Sequence, residues 1–478
     1  MSWFLAAAGI LLTTLLGFLI WQIVIAKRPD VWESLAYAFP VGSGVTVIVM
    51  LLLALLGLPL SRGYVVGVVL ILIVITGIAG TALRKLDRAA SNATPEKAGK
   101  GLLWWCLLGA LLFQIALVVV PIIQERSIGE WDAWAIWGMK AKAFYVDQGV
   151  SGYLSDAQTY AFSWPRRPAL SSLMEAFVYS CMGRVEESAA RVLHVLWFVS
   201  LLWTFYIVAR RAMNRTAALF WTVVLSAVPN LAFQGNLGLS NVVLGAYLFA
   251  GITTLDRWRR DRHARVLVAA AVLLGMASLC RDEGLPLALI LIAAFVVTTQ
   301  SLRGTGLRKA ALQATALAIG TFAVKSLWIL LVRRYPTGDL MSEWMTLDIF
   351  SRAVAHLRDA PAVLRTALQE LAVPEHQTQS LHLENLIGLA LFWPAFAIAA
   401  LRLFLVRGRD PFALGCAVTA IAGVLMYTTG FWLFPYQNLA DLRDNWMFVM
   451  DRQVLCLIPL ATYAIAWSIS GNSPGKAG

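Results

Sequence analysis

The sequence predicts an all-α polytopic membrane protein with about thirteen transmembrane helices. Hydrophobic residues make up 59% of the 478 residues and charged residues only 14%, against about 25% in a typical soluble domain. The apolar residues also form runs of roughly 17 to 25, the length of a helix that crosses a bilayer. One soluble core cannot bury so many apolar residues, whereas a helix satisfies its own backbone polar groups inside lipid.

Charge and cysteine content fit the same class. Basic cytoplasmic loops and anionic lipids explain the net charge of +12 without nucleic acid. Four of the five cysteines lie in apolar runs and only Cys181 lies in a predicted loop, so the sequence has neither a disulfide framework nor a metal-site spacing. The N-terminus, MSWFLAAAG, lacks the basic segment of a signal peptide, and we expect its apolar run to be retained as the first span.

The predicted spans follow from the apolar runs, taken in order. Two short runs are separated only by Arg281, Asp282 and Glu283, which predicts a tight hairpin of two spans. The predicted spans are 3–26, 37–59, 64–83, 102–123, 188–209, 216–232, 239–255, 266–280, 284–299, 310–332, 384–406, 411–430 and 452–469.

The basic loops predict the orientation of these spans. Clusters of Lys and Arg fall at alternate loops, and one assignment places them all in the cytoplasm, with the N-terminus outside and the C-terminus inside. The outer face then carries two long loops, 124–187 and 333–383. A linker-like cytoplasmic segment, 87–101, follows the first three spans. The predicted units are a leading unit, 1–101, a core, 102–332, and a unit with three C-terminal spans, 333–478.

The segment GEWDAWAIWGMKAKAFY, residues 129–145, follows the span 102–123 and differs from its apolar neighbours. On a helix Trp131, Trp134 and Trp137 share one face, and Trp favours the membrane–water interface. The pattern therefore predicts a helix lying on the outer surface. An aromatic belt with solvated charges would explain the tryptophans alone. Asp132, however, lies between two of them, partly desolvated, and is suited to act as a general base.

Several arginines are predicted at the same surface. Arg281 lies at the apex of the short hairpin, Arg452 begins the last span, and Arg166 and Arg167 lie between two prolines in SWPRRPAL. Charges so close to hydrocarbon cost several kcal/mol unless they are paired or bind an anion. Pairing with adjacent acids or snorkelling is the alternative for each of them. Together they predict a basic rim around Asp132.

A lipid-linked phosphate would suit this arrangement. Its tail would stay in the bilayer while its phosphate meets Arg and Lys at the interface. The basic groups would stabilise the departing phosphate. A carboxylate on the other side of the reacting carbon would take the proton of an acceptor hydroxyl.

Four segments in this order resemble the GT-C fold of membrane glycosyltransferases that use polyprenyl-phosphate sugars, in its bacterial form. They are 129–145, WPRRPALSSLMEA (164–176), CRDEGLPLAL (280–289) and YQNLADLRDNWMFVMDRQVLCLIP (436–459), and the resemblance covers about 102–469. It implies interfacial helices in a large first outer loop, with Asp132 matching the acidic catalytic residue of that loop. Arg281 stands where relatives have Lys, Glu283 matches their acid, and Asp441, Arg452 and Pro459 match the last segment.

The resemblance implies an enzyme, an inverting glycosyltransferase of the bacterial cytoplasmic (inner) membrane, active on the extracytoplasmic face. Its partners would be a polyprenyl-phosphate-linked sugar and a glycan, lipid or protein acceptor. No cofactor is predicted, and a divalent metal is unsupported because Glu130 and Asp132 are split and Ser240 and Asn241 stand where many relatives have Asp. The predicted site has Asp132 as the catalytic base with Glu130 as its substitute. It also has phosphate-binding Lys140, Arg281, Arg452, Arg166 and Arg167, and substrate-contacting Trp131, Trp134, Glu283 and Asp441.

Two other functions are compatible with the sequence. A polysaccharide polymerase or ligase would use a polyprenyl-diphosphate glycan and late-loop Arg and His, for which His356, His376 and His382 are available. A lipid-linked-sugar flippase or transporter would need ionisable groups within the bundle, for which Lys325 and His194 are candidates. No internal repeat of the transporter kind stands out.

Overall fold

The structure is a computed structural model that describes residues 2–25, 30–86, 101–124, 127–301, 307–335, 354, 356–372, 383–405, 410–433 and 450–470. Every regular element among these residues is a helix. The predicted all-α fold class is therefore confirmed.

The first half of the chain contains a π-helix, Ala133–Gly138, and a 3₁₀ turn, Ala161–Ser163, in addition to its α-helices. The α-helices up to the 281–283 turn are α1 (Ser2–Val24), α2 (Val31–Leu55), α3 (Arg62–Leu86), α4 (Leu102–Gln124), α5 (Met139–Val146), α6 (Ser151–Ser155), α7 (Ala157–Tyr160), α8 (Leu170–Met182), α9 (Glu187–Ala209), α10 (Arg215–Ser226), α11 (Pro229–Gln234), α12 (Ser240–Asp261) and α13 (Ala264–Cys280).

The second half contains a further 3₁₀ turn, Val454–Leu457, directly before the last helix. Its α-helices are α14 (Gly284–Ser301), α15 (Leu307–Arg333), α16 (Ala360–Ala372), α17 (Leu383–Leu405), α18 (Pro411–Leu433), α19 (Met450–Gln453) and α20 (Ile458–Ser470).

Most of the predicted spans coincide with one helix, but 216–232 is divided between α10 and α11, and 452–469 crosses α19, the 3₁₀ turn Val454–Leu457 and α20. Among the described residues, 7 helices are long and apolar enough to cross a membrane, namely α1, α2, α3, α4, α9, α15 and α18. The predicted spans 216–232, 266–280, 284–299, 384–406 and 452–469 contain shorter apolar helices. The chain is therefore a multi-pass membrane protein.

In the core, α12 packs against α2, α9 and α13, and α2 also packs against α9 and α13. Hydrogen bonds join α2 to α12, from Tyr37 Oη to Thr253 Oγ1 at 2.6 Å and between Ser43 Oγ and Tyr247 Oη at 2.9 Å. Such polar pairs fix helices where apolar side chains give no directional contact. Helix α2, from the predicted leading unit, is thus part of the central bundle.

The two ends of the bundle differ in chemistry. At one end, Arg211 and Arg257 both contact Glu33, at 3.1 and 3.2 Å. The segments that carry these three residues, at the start of α2 and the ends of α9 and α12, were predicted to lie on one side. At the opposite end the backbone N–H of Leu60 donates to the carbonyl of Gln148, in the first long loop. The basic end and the loop end are therefore separated by the length of the helices.

Helices α1 and α2 cross in backbone contact at two glycines. A Cβ atom on Gly17 would collide with the carbonyl oxygen of Ala38, and one on Gly42 with that of Thr13. Small residues allow this close approach of helices, as at other membrane helix interfaces.

We expect Gly17→Ala to separate α1 from α2 and to destabilise the protein by about 1–3 kcal/mol, as overpacking does. Thermal unfolding in detergent would show a lower midpoint. Gly67→Ala is the matched control, because a Cβ at Gly67 meets nothing within 4 Å. Equal midpoints for the two variants would contradict the close contact between α1 and α2.

Candidate active site

The first long loop begins with a turn anchored to α9. The backbone N–H of Ile128 donates to Glu187 Oε2 at 2.6 Å, and Lys142 contacts the other oxygen of Glu187 at 2.5 Å. Ser172 of α8 donates to the carbonyl of Trp137 at 2.9 Å. The segment that carries Glu130 and Asp132 is therefore held against both α8 and α9.

The π-helix Ala133–Gly138 changes which tryptophans share a face. Met139 N–H donates to the carbonyl of Trp134, five residues back, so the turn is wider than an α-helical turn. Trp131 and Trp134 are exposed, whereas Trp137 is only 1% exposed. The prediction that all three share one interfacial face is wrong for Trp137, because the extra residue in the turn rotates it into the core.

Arg452 joins the last helical segment to both acids of the first loop. Its Nη1 donates to Glu130 Oε1 at 3.1 Å, and its Nη2 donates to Asp132 Oδ2 at 2.5 Å. All three side chains are partly exposed. Among the described residues no donor contacts Asp132 Oδ1, so one carboxylate oxygen is oriented and the other remains accessible.

Arg281 lies beside this ion pair and is bonded on three sides. Its Nε donates to Glu283 Oε1 at 2.5 Å, its Nη1 to Asn241 Oδ1 at 2.8 Å and its Nη2 to Gln453 Oε1 at 3.1 Å. Burial alone would raise the pKa of Glu283, but the Arg281 charge outweighs it and the pKa falls below its ordinary value. Glu283 therefore stays ionised and holds Arg281 in place.

Arg167 brings a third guanidinium to the group. It stacks on Trp164 at 3.4 Å and lies 3.9 Å from Asp282. Burial, together with repulsion from Arg281, lowers the pKa of Arg167 to about 10, while the charge of Asp132 acts in the opposite direction. Arg167, Arg281 and Asp132 thus lie within electrostatic reach of one another, and the crowding of positive charge favours an anionic ligand.

The neighbouring Arg166 is placed by its backbone, because its carbonyl accepts a hydrogen bond from Trp328 Nε1 at 2.9 Å. This contact ties the turn between the two prolines to α15. The same turn carries Arg167 toward Asp282.

Lys140 does not join the arginines at the surface. Its side chain is 0% exposed and donates to the carbonyls of Arg167 at 2.8 Å and Trp164 at 3.4 Å. Its ammonium also lies over the rings of Trp137, Tyr153 and Trp328. In the structure the buried ammonium holds the loop that presents Arg167, and the phosphate contact of Lys140 stays a prediction.

Asp441, His376 and His382 fall outside the described residues. His356 contacts Asp359 at 3.3 Å. Within the bundle, Lys325 donates to the carbonyl of Ser278 at 3.0 Å, and His194 contacts Glu175 at 3.1 Å.

Sequence reasoning did not assign Asn241 and Gln453, the two neutral side chains that contact Arg281. The sequence marks Asn241 only as lying where many relatives have Asp. It marks Gln453 only as the neighbour of Arg452 in MDRQ. No sequence signal pairs them with Arg281, because Asn241 lies 40 residues and Gln453 172 residues away from it along the chain. No three His, Cys, Asp or Glu side chains among the described residues are grouped so as to hold a metal ion.

One comparison with known proteins bears on this site. The family model described as dolichyl-phosphate-mannose-protein mannosyltransferase matches residues 166–328, about a third of the chain. The match supports a membrane glycosyltransferase of the GT-C type. It includes Arg167, Arg281 and Glu283, and it lies inside the range of the predicted resemblance. No curated protein and no solved structure matches the chain.

The buried position of Lys140 affects the stability of the protein. We expect Lys140→Met to destabilise the protein by about 1–3 kcal/mol, because two buried carbonyls lose their donor. Thermal unfolding would report the loss. Lys142→Met is the control, since it removes the same charge from a more exposed ion pair. A stable Lys140→Met protein with weakened substrate binding would instead support the direct phosphate contact.

Proposed function

We propose that this membrane glycosyltransferase moves a sugar from a polyprenyl-phosphate donor to a hydroxyl of a glycan, lipid or protein acceptor on the extracytoplasmic face. One observation carries the proposal: the Asp132 carboxylate lies at the loop end of the bundle among Arg452, Arg281 and Arg167. Sugar transfer from a lipid phosphate needs a base for the acceptor hydroxyl and positive charge for the departing phosphate. The carboxylate and the guanidiniums at this membrane boundary provide both.

The proposed step is a single displacement. The acceptor oxygen attacks the anomeric carbon and forms the new glycosidic bond, while the bond from that carbon to the phosphate oxygen breaks. The bonding electron pair leaves with polyprenyl phosphate, and Asp132 takes the proton of the acceptor hydroxyl. Attack from the face opposite the phosphate inverts the configuration of the anomeric carbon.

The surrounding residues have distinct roles in this step. Arg452 fixes one oxygen of Asp132, which leaves the accessible oxygen for the acceptor. Arg281 and Arg167 stabilise the negative charge that develops on the departing phosphate. Trp131 is 56% exposed next to Asp132, and it offers an aromatic surface for a sugar ring together with Trp134, which stacks on Phe162.

The loop end would face the extracytoplasmic side. Support comes from the basic end, where Arg211, Arg257 and Arg259 collect, because cytoplasmic segments are enriched in Lys and Arg. A sugar carried on a polyprenyl phosphate in the outer leaflet would then reach Asp132 without crossing the bilayer.

We expect Asp132→Asn to lower turnover of a polyprenyl-phosphate sugar by about 10²–10⁴-fold, the usual contribution of a general base. Asn preserves the size of the side chain and an acceptor for Arg452, so insertion and thermal stability should stay at wild-type levels. The assay is release of polyprenyl phosphate by purified protein in lipid nanodiscs, with a panel of labelled donors and a cell-envelope acceptor.

Glu130→Gln is the matched control, because it removes a neighbouring carboxylate that contacts the same arginine. It should retain most of the activity. If Asp132→Asn turns over the donor as fast as wild type does, Asp132 is not the base. Loss of activity in His356→Ala instead would move the function toward a polymerase or ligase that uses a diphosphate-linked glycan.

A further inference from the structure

The guanidinium of Arg281 is held by neutral groups on two of its three nitrogens. Asn241 and Gln453 accept from the two terminal nitrogens, and Glu283 accepts from Nε. A guanidinium has five N–H donors, so these bonds leave two donors without an acceptor among the described residues. The side chain is only 11% exposed, and its plane is fixed before any ligand arrives.

Asn241 is itself held by a chain of buried amides. Its Nδ2 donates to Gln234 Oε1 at 2.8 Å, and Gln234 Nε2 donates to Asn230 Oδ1 at 3.3 Å. All three amides are at most 7% exposed. Arginine can only donate, so Asn241 must present its oxygen to Arg281. Its NH₂ group then faces Gln234, and each amide orientation follows from the one before.

The fold places this chain directly behind the candidate active site. Asn230 and Gln234 are one helical turn apart on α11, and a tight turn then leads to the first turn of α12, where Asn241 lies. Gly238 has φ +84° in that turn, a conformation that side chains other than glycine rarely adopt. The turn folds Gln234 back onto Asn241, and Asn241 reaches the 281–283 turn.

We propose that the amide chain Asn230–Gln234–Asn241, together with Gln453, positions Arg281 for the phosphate of the donor. This inference rests on the proposed function and assigns Asn241 and Gln453 as positioning residues. Two neutral acceptors orient the guanidinium without cancelling its charge, whereas carboxylates at the same places would compete with an anionic ligand. The two remaining N–H groups provide the fork that binds phosphate oxygens.

The first test is Asn241→Leu. This change keeps a side chain of similar volume but removes the acceptor for Arg281 and the donor to Gln234. We expect donor kcat/KM to fall by about 10²-fold, as a misplaced catalytic group does, with the acceptor KM unchanged. Asn241→Asp keeps the acceptor but adds a charge, and it should raise the donor KM by about tenfold, equivalent to about 1.4 kcal/mol of binding.

Asn236→Leu is the matched control. Asn236 is a buried amide in the same turn, but its Nδ2 donates to the carbonyl of Val118 at 2.9 Å and not to the Arg281 network. Its loss should lower the melting temperature and leave the donor KM of the folded protein unchanged. If Asn241→Leu and Asn236→Leu behave alike, or if donor and acceptor KM rise together in Asn241→Leu, the amides only support the fold and the proposal is overturned.

A binding measurement separates this inference from the proposed function. Farnesyl phosphate would be titrated into wild type and the Asn241 variants in nanodiscs by calorimetry, which needs no turnover. Binding at least tenfold weaker in Asn241→Leu supports the positioning role even if wild type transfers no sugar from any donor in the panel. Equal affinities, or no binding to wild type, would overturn it.

Discussion

The ion pair between Arg452 and the two acids of the first loop is the contact on which the candidate active site depends. It joins positions more than 300 residues apart, in the first long loop of the predicted core and in α19 of the predicted C-terminal unit. Near the hydrocarbon boundary an unpaired charge is costly, so the loop and the last helix are held together. Gln453, the next residue, extends the same connection to Arg281.

A second constraint is the lack of hydrogen-bonding solvent inside the bundle. A buried polar group without a partner costs free energy, and several of the buried polar pairs here also build the site. The ammonium of Lys140 holds the carbonyls of the loop that presents Arg167. The amides behind Arg281 satisfy one another while they fix the guanidinium. The cations and the base are therefore positioned by packing and hydrogen bonds that need no ligand.

The family match and the group formed by Asp132, Arg452, Arg281 and Arg167 both point to a glycosyltransferase, and they come from different parts of the chain. The match spans 166–328 and contains Arg167 and Arg281, but Asp132 precedes it and Arg452 follows it. The two outlying residues contact each other, and Gln453, the neighbour of Arg452, contacts Arg281 of the matched part. The GT-C identification thus rests on the matched helices, while the proposed base rests on geometry.

The sequence by itself determined the all-α membrane class, the positions of the spans and the grouping of basic loops, because these depend on hydropathy and local charge. It also singled out Asp132 and the arginines around it. Tertiary structure decided what each residue contacts. A π-helical turn buried Trp137, an aromatic cage enclosed Lys140, and Asn241 and Gln453 became partners of Arg281. Those outcomes depend on contacts between distant segments, which no local pattern of residues encodes.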